Sequence, residues 1–125
     1  MRPYNKDEIN LLMEEFDRVE SGSARAAFMY LVTDAMSRPA YSCRPGKHGH
    51  IYDFRYYYQE KWCYAFIPNK NSLLWYFRRP LLNEYAVDIV SLQNEFDEMK
   101  ITGSKEIAVR LNHFEDAELV TSYLL

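Results

Sequence analysis

The sequence predicts one α+β domain over residues 1–125, with the element order ααβββαβα and helices packed on one face of a mainly antiparallel, three- to four-stranded sheet. Three observations predict this class. The length of 125 residues suits a single hydrophobic core. Apolar residues recur at helical spacing toward both ends of the chain, and short runs rich in aromatic residues fill its middle.

Composition argues against several classes of protein. The chain has no apolar run near the roughly 18 residues that a membrane-spanning helix needs, and its N-terminus turns polar and acidic where a secretory signal has its apolar segment. Its two cysteines are too few for a disulfide scaffold, and its histidines have no partners at zinc-like spacing. We therefore expect a cytoplasmic protein that requires neither a cofactor nor a metal.

The N-terminal part of the chain predicts two helices that pack as a hairpin. Asn5 begins a first helix of about residues 5 to 20, because Glu8 lies three residues further on, as in a capping box. A Ser-Gly-Ser break then separates it from a second helix of about residues 24 to 37. Both helices carry apolar residues at helical spacing, among them Ile9, Leu12, Phe16, Ala27, Phe28 and Leu31.

The segment from Ser37 to Gly49 predicts a long loop. It contains two prolines, two glycines and no acidic residue, a composition typical of a connection rather than of a regular element. Its cations Arg38, Arg44 and Lys47 make it a candidate for a mobile segment that contacts anions. The alternative interpretation is a solvated loop whose basic residues have no specific ligand.

Three aromatic strands follow between residues 50 and 79, a stretch that holds eleven of the chain's twenty Phe, Trp and Tyr residues. In the second hairpin, alternation places on the core side Trp62, Tyr64, Phe66, Leu73, Trp75 and Phe77. The turn at residues 59–60 leaves the register of the first hairpin open, and a shift of one residue would exchange its faces. We favour the register with Tyr52, Phe54 and Tyr56 in the core, because it segregates apolar from charged residues. This register groups on the outer face Asp53, Arg55, Tyr57, Tyr76 and Arg78.

The remainder of the chain predicts a helix, a strand and a final helix. Asn83 can begin a helix of about residues 84 to 99, whose apolar stripe is the most regular in the chain and consists of Tyr85, Ile89, Leu92, Phe96 and Met99. A Thr-Gly-Ser turn leads into a fourth strand, from Glu106 to Leu111, and a last helix follows Asn112.

Charge is distributed unevenly along the chain. Between Ala35 and Asn83 there are eight Lys or Arg residues and two acidic residues, a local balance of +6. The two flanks hold seven basic and sixteen acidic residues, a balance of −9. The predicted sheet region is therefore basic, whereas the predicted helical regions are acidic.

A basic sheet surface with aromatic residues is one way in which proteins hold single-stranded nucleic acid, because bases stack on the rings while cations meet the phosphates. Our first hypothesis is a small non-enzymatic binding domain that contacts nucleic acid or a nucleic-acid-handling protein. The candidate binding residues are Arg38, Arg44, Lys47, Arg55, Tyr57, Tyr76, Arg78, Arg79 and Arg110. The competing interpretation is that the aromatic residues form the core and the arginines a solvated face.

One resemblance extends this idea to catalysis. Ile51-Tyr52-Asp53-Phe54-Arg55, a second aromatic strand and a third strand that closes on Phe77-Arg78-Arg79 resemble the RelE-like family of mRNA-cleaving toxins. The resemblance covers about a third of the chain. It implies that Arg55, Arg78 and Arg79 bind RNA and stabilise phosphate charge. The middle strand, however, has no arginine where that family carries one.

The acidic flanks support a third hypothesis, an inhibitor or adaptor that occupies a basic site on another protein. Two predicted helices would supply the acidic surface, with Asp7, Glu8, Glu14, Glu15, Asp17, Glu20, Asp88, Glu95, Asp97 and Glu98. The alternative is that these are ordinary charged faces of outer helices. A homodimer through exposed strand or helix faces is also compatible with the sequence.

Overall fold

The computed structural model describes residues 3–78, 89–96, 98–104 and 106–124. In chain order the described elements are α1 (Lys6–Arg18), α2 (Gly22–Met36), β1 (Tyr41–His48), β2 (Ile51–Tyr58), β3 (Lys61–Pro68), β4 (Leu73–Phe77), α3 (Ile89–Glu95), β5 (Met99–Ile101), β6 (Ile107–Leu111) and α4 (Phe114–Thr121). The six strands form one antiparallel sheet in the order β1-β2-β3-β4-β6-β5. The α+β class is confirmed, but the expected count of three to four strands was too low and the element order differs.

Strand β1 occupies most of the segment that the sequence analysis assigned to a mobile loop. Tyr41 and Cys43 alternate inward and are buried, and all eight residues of the strand pair with β2. Pro45 is compatible with this position because an edge strand needs hydrogen bonds on one side only. Gly49, with a φ of +63°, then makes the tight turn into β2. Arg44 and Lys47 therefore lie on a strand, and only Arg38 lies in the preceding turn.

The predicted helix of residues 84–99 is shorter at its C-terminal end than expected. Its N-cap, Asn83, and the rest of residues 79–88 lie outside the described part of the chain. Helix α3 ends at Glu95, and Met99 belongs to strand β5, where it pairs with Val109 of β6. Strand pairing thus overrides the helical spacing at this end, while Leu92 and Phe96 are buried as the apolar stripe predicted.

The core lies between one face of the sheet and the helices. Phe28 of α2 contacts Phe54 and Phe66, with ring centroids 4.9 and 5.4 Å away. The Tyr56 hydroxyl donates a hydrogen bond to the carbonyl of Leu31, which ties the sheet to α2. The central part of this sheet face is fully buried and consists mainly of Phe54, Tyr56, Tyr64, Phe66, Leu73, Trp75, Phe77, Val109 and Leu111. Offset and edge-to-face ring pairs of this kind add stability beyond the area that they bury.

Helix α1 is fastened to both the second helix and the sheet. The capping box of Asn5 and Glu8 is present as predicted, and Phe16 contacts Phe28 of α2 with ring centroids 5.8 Å apart. The Tyr4 hydroxyl donates to the carbonyl of Cys43 in β1. In the described part of the chain, no helix has the length and apolar character that crossing a membrane requires.

The pairing of β2 with β3 confirms the favoured register of the first hairpin, since Phe54 pairs with Phe66 and Arg55 with Ala65. The register shifts after Tyr56, however, so that Tyr57 pairs with Trp62. Cys63 is the extra residue of this β-bulge. The expectation that Trp62 lies on the core side was therefore wrong: the inserted residue places it next to Tyr57 on the opposite face.

The turn between β2 and β3 provides a test of backbone strain. Its two central residues, Gln59 and Glu60, have φ values of 48° and 70°, a region that costs non-glycine residues about 1–2 kcal/mol. We expect Glu60→Gly to raise the free energy of unfolding by about 0.5–1 kcal/mol, because the relief of strain exceeds the entropy that glycine adds to the unfolded chain. Urea denaturation measures this change.

The turn between β1 and β2 supplies the matched control. A Cβ at Gly49 meets no atom within 4 Å, so Gly49→Ala introduces only the strain of its positive φ. This variant should lose about 1 kcal/mol. Equal stability of Glu60→Gly and the wild type, measured beside a destabilised Gly49→Ala, would contradict the assignment of strain to Glu60.

The burial of a cysteine thiol and a tyrosine hydroxyl predicts that the folded protein loses stability at alkaline pH. Burial raises the pKa of the Cys43 thiol and of the Tyr56 hydroxyl above their ordinary values. Because the folded state keeps protons that the unfolded chain releases, the free energy of unfolding should fall as pH rises above about 8.5 and more steeply above about 10. Each group contributes a slope of up to about 1.4 kcal/mol per pH unit.

Denaturation of the wild type and Cys43→Ala from pH 7 to 10 isolates the thiol. The variant starts from a lower stability, because it loses a buried side chain, but its stability should fall less between pH 8.5 and 10. Parallel curves over that interval would show that the thiol pKa is the same in the folded and unfolded states.

Candidate functional site

The face of the sheet opposite α2 and α4, here called the outer face, carries most of the candidate binding residues. Strand pairing places Arg55, Ala65, Tyr76, Ala108 and Lys100 in one row across five strands, each the partner of the next. The first four lie on the outer face because their neighbours along each strand are buried in the core, and Lys100 lies there because it pairs with Ala108. The row contains two cations, one aromatic ring and two small residues.

Trp62 lies beside this row and contacts two arginines. The guanidinium carbon of Arg55 is 4.1 Å from the centroid of the Trp62 ring, and that of Arg78 is 3.7 Å from it. Arg55 reaches the ring from β2 and Arg78 from the end of β4, the strands on either side of β3. Nη1 of Arg78 also donates to the Trp62 carbonyl at 2.7 Å. Each cation–π contact of this kind contributes about 0.5–2 kcal/mol.

Both arginines also have acidic partners. Nε of Arg55 donates to Oδ1 of Asp53 at 2.9 Å, and Nε of Arg78 lies 3.4 Å from a carboxylate oxygen of Glu106. Asp53 is buried, at 7% exposure, and Arg55 and Glu106 are partly so. The stacked ring and the carboxylates together offset the repulsion between two neighbouring positive charges. The guanidinium groups are thus held in place before any ligand arrives.

Gly46 makes room for the Arg55 side chain. It pairs with Asp53 across the β1–β2 ladder, and a Cβ at this position would lie 2.9 Å from Oδ1 of Asp53 and closer still to the Arg55 guanidinium. Nη2 of Arg55 donates in addition to the carbonyl of Lys47, at 3.2 Å. The absence of a side chain at residue 46 therefore allows Arg55 to lie across β1 and stack on Trp62.

Tyr76 borders three clefts of nearly equal size. One, of about 330 Å³, lies toward α1 and is lined also by Arg18, Ile67 and Leu74. The other two lie on either side of Tyr76 along the row. The first, of about 350 Å³, is lined by Ala65, Ile67, Trp62, Arg78, His48, Asp53 and Glu106 as well as Tyr76. The second, of about 340 Å³, lies toward β5 and is lined by Tyr76, Leu74, Ala108, Met99, Lys100, Arg110 and Glu98. Burial raises the pKa of Tyr76 and Glu106 raises it further, whereas Arg110 lowers it. The phenol therefore stays neutral between an acid and a base.

Three more predicted residues lie on or beside the outer face. Arg44 and Tyr57 border a wide depression of about 850 Å³ at the β1 edge of the sheet. The Arg44 guanidinium lies 4.9 Å from the centroid of the Tyr4 ring and 3.3 Å from a carboxylate oxygen of Glu8, so it is already engaged by the N-terminal region. Arg110 donates to Ser72 at 2.9 Å and lies 3.3 Å from Glu98.

The structure does not bring all nine predicted residues together. Arg38 pairs with Asp34 of α2, lies over the buried Tyr41 ring and reaches the carbonyl of Thr121, so it belongs to the helical side of the sheet. Lys47 lies at the exposed end of β1, over the ring of Tyr52. The remaining predicted residue, Arg79, lies outside the described part of the chain.

The acidic surface proposed for a partner protein is smaller than its sequence suggests. Glu15 is buried, at 4% exposure, and bonds to Arg18 at 2.8 Å. Glu8 and Glu98 form ion pairs with Arg44 and Arg110. Asp88 and Asp97 lie outside the described residues. The remaining acids of α1 form an exposed face next to two exposed apolar residues, Ile9 and Met13.

Several residues of the site were missed by the sequence analysis. Trp62 was assigned to the core, and neither Gly46 nor Glu106 was singled out. An aromatic side chain is compatible with either face of the sheet, so a run of aromatic residues does not reveal a β-bulge. One signal was present in the sequence: Ala65 and Ala108 are small residues at outward strand positions, and such positions leave space beside a large neighbour.

In the described part of the chain, no three His, Cys, Asp or Glu residues are grouped so that they could hold a metal ion. Comparison with family models, curated proteins and solved structures found no match to this chain.

The role of Gly46 can be tested by substitution. Gly46→Ala should displace the Arg55 guanidinium from Trp62, because the end of a flexible side chain moves more easily than the backbone. A double-mutant cycle of Arg55→Met and Trp62→Leu, made in both backgrounds, measures the coupling energy between the two side chains. We expect about 0.5–1 kcal/mol in the wild type and nearly zero in the Gly46→Ala background.

Gly22→Ala is the matched control, since a Cβ there meets nothing within 4 Å. The Arg55–Trp62 coupling should survive in that background. Equal coupling energies in the Gly46→Ala and wild-type backgrounds would show that residue 46 does not position Arg55.

Proposed function

We propose that this chain is a non-enzymatic binding domain for single-stranded nucleic acid, which it contacts through the outer face of its sheet. The observation that carries the proposal is the cluster of Arg55, Trp62 and Arg78 beside Tyr76 on a sheet face that contains two open clefts. Aromatic rings and guanidinium groups on one surface match a polymer that alternates planar bases with phosphates. A single strand suits this surface because its bases are free to leave the stack.

The two clefts are lined by three basic and three acidic side chains, and Arg55 next to the first cleft adds one further cation. The basic side chains that line the two clefts are Arg78, Lys100 and Arg110. The acids that line the two clefts are Asp53, Glu98 and Glu106. The excess is small, so we expect binding of moderate strength that weakens as salt concentration rises.

The ion pair between Arg110 and Glu98 does not prevent phosphate from binding. The Arg110–Glu98 pair is well exposed, with side chains 38% and 57% accessible, and exposed pairs of this kind contribute little. A phosphate that binds Arg110 would replace the Glu98 carboxylate as the anionic partner of this arginine. The loss of the exposed Arg110–Glu98 pair costs little free energy. Arg55 differs, because Asp53 is buried, so that arginine serves mainly to hold Trp62 in place.

A second candidate function is cleavage of RNA, as the RelE-like resemblance implies. The observation that favours it is the composition of the first cleft, which brings His48, Asp53 and Glu106 together with Arg78. Carboxylates and an imidazole are general acids and bases, and an arginine can stabilise a phosphate in the transition state. Recovery of the RNA after a binding experiment separates this candidate from simple binding.

A salt-dependent titration tests the first proposal. Filter binding of short single-stranded DNA and RNA at about 20 and 200 mM salt should give a binding constant that falls with salt. Tyr76→Leu should weaken binding about tenfold through the loss of base stacking. Arg78→Gln should reduce the slope of log K against log salt by about 0.7, the value for one phosphate contact on a single strand.

Lys70→Gln provides the control for charge, because it removes one cation from the exposed β3–β4 turn, away from the two clefts. It should leave the affinity nearly unchanged. No binding of either nucleic acid at the lower salt concentration would refute the proposal. RNA recovered as fragments from the wild-type mixture, but intact from Arg78→Gln, would replace it with the cleavage candidate.

A further inference from the structure

The two clefts beside Tyr76 are related by the pairing of the strands. Ala65 of β3 and Ala108 of β6 are both partners of Tyr76 on β4, one on each side. Adjacent strands lie about 4.8 Å apart, so the two alanines are separated by about 10 Å with the tyrosine midway. Both alanines are buried, at 4% and 6% exposure, and they line the inner ends of the two clefts, because neither has a side chain beyond Cβ that would fill the space beside the tyrosine.

From this geometry we infer that Tyr76 separates two consecutive bases of a bound single strand, with one base in each cleft. The inference rests on the proposed function and specifies its ligand: at least two adjacent, unpaired nucleotides. A tyrosine that lies between two bases stacks on both of them. These two contacts replace the stacking of the bases on each other. Each base enters its own cleft, so a paired duplex cannot bind in this way.

Charged groups are placed to meet the phosphates on both sides. Arg78 lines the cleft that contains Ala65, whereas Arg110 and Lys100 line the cleft that contains Ala108. Each cleft therefore has at least one cation, as a backbone that crosses from one cleft to the next requires. Thr102 adds a hydroxyl group to the second cleft, while Asp53 and Glu106 provide acceptors for base amino groups in the first.

The small volumes of the two clefts favour separate planar groups over a single drug-sized molecule. Both volumes, of about 350 and 340 Å³, are at the lower end of the range of about 300–1,000 Å³ for pockets that enclose a drug-sized ligand. A compact ligand would fill one cleft and leave the other empty. A chain of planar groups spaced by a charged backbone fills both.

The first experiment fills each cleft from the protein side. Ala65→Leu and Ala108→Leu should each weaken the binding of a short single-stranded oligonucleotide about tenfold, because a larger side chain occupies the space of one base. Ala26→Leu makes the same enlargement at an exposed position of α2 and is the matched control, which should bind as the wild type does. Thermal denaturation shows which variants remain folded.

The second experiment uses the wild-type protein, so it does not depend on the stability of any variant. The probe is a tetranucleotide with two adjacent 2-aminopurines between two thymidines, whose stacked bases give an exciton-coupled circular dichroism signal. Saturating protein should abolish this signal, since Tyr76 then lies between the two bases. A signal that persists at saturation would overturn the inference.

The two proposals fail in different ways. Absence of binding at low salt refutes nucleic-acid binding itself. Binding that keeps the exciton signal, or that is unchanged in both cleft-filling variants while they remain folded, leaves nucleic-acid binding in place and refutes only the role of Tyr76 between two bases.

Discussion

The pairing of β2 with β3 is the constraint on which the outer face depends. Because side chains alternate along a strand, a single inserted residue reverses the face of everything beyond it. Cys63 is that residue, and it turns Trp62 away from the aromatic core and toward Arg55 and Arg78. Without the bulge, the indole would lie among the rings that pack against α2, and the two arginines would have no common platform.

The aromatic residues of this chain therefore perform two separate tasks. Those of the inner face, such as Phe54, Phe66 and Trp75, are fully buried and exclude water from the core. Those of the outer face, Tyr57, Trp62 and Tyr76, remain partly accessible and neighbour charged groups. An arginine that is stacked on a ring and bonded to a carboxylate has lost much of its rotamer freedom before any ligand arrives, which lowers the entropic cost of binding.

Much of the fold follows from local patterns in the sequence, and the exceptions have physical causes. The capping box of α1, the favoured register of the first hairpin and the inward residues of β4 were predictable from spacing and alternation. Strand β1 was not, because the proline and glycines that favour a loop are tolerated at an edge and, at Gly46, required by Arg55. Strand β5 has three residues and depends on its pairing with β6, which a local pattern does not contain. The position of Trp62 depends on the bulge, and the clefts depend on pairing between strands far apart in sequence.

The outer edge of β1 has a consequence for assembly. An exposed strand of eight residues normally offers its unpaired amide and carbonyl groups to a strand from another molecule. Here Pro45 has no amide hydrogen to donate, and the carbonyl of Cys43 already accepts a hydrogen bond from the Tyr4 hydroxyl. The ion pair between Arg44 and Glu8 holds α1 against the same strand. The N-terminal segment therefore covers part of this edge, and its removal should leave more backbone groups of β1 open to pairing with a strand of another molecule.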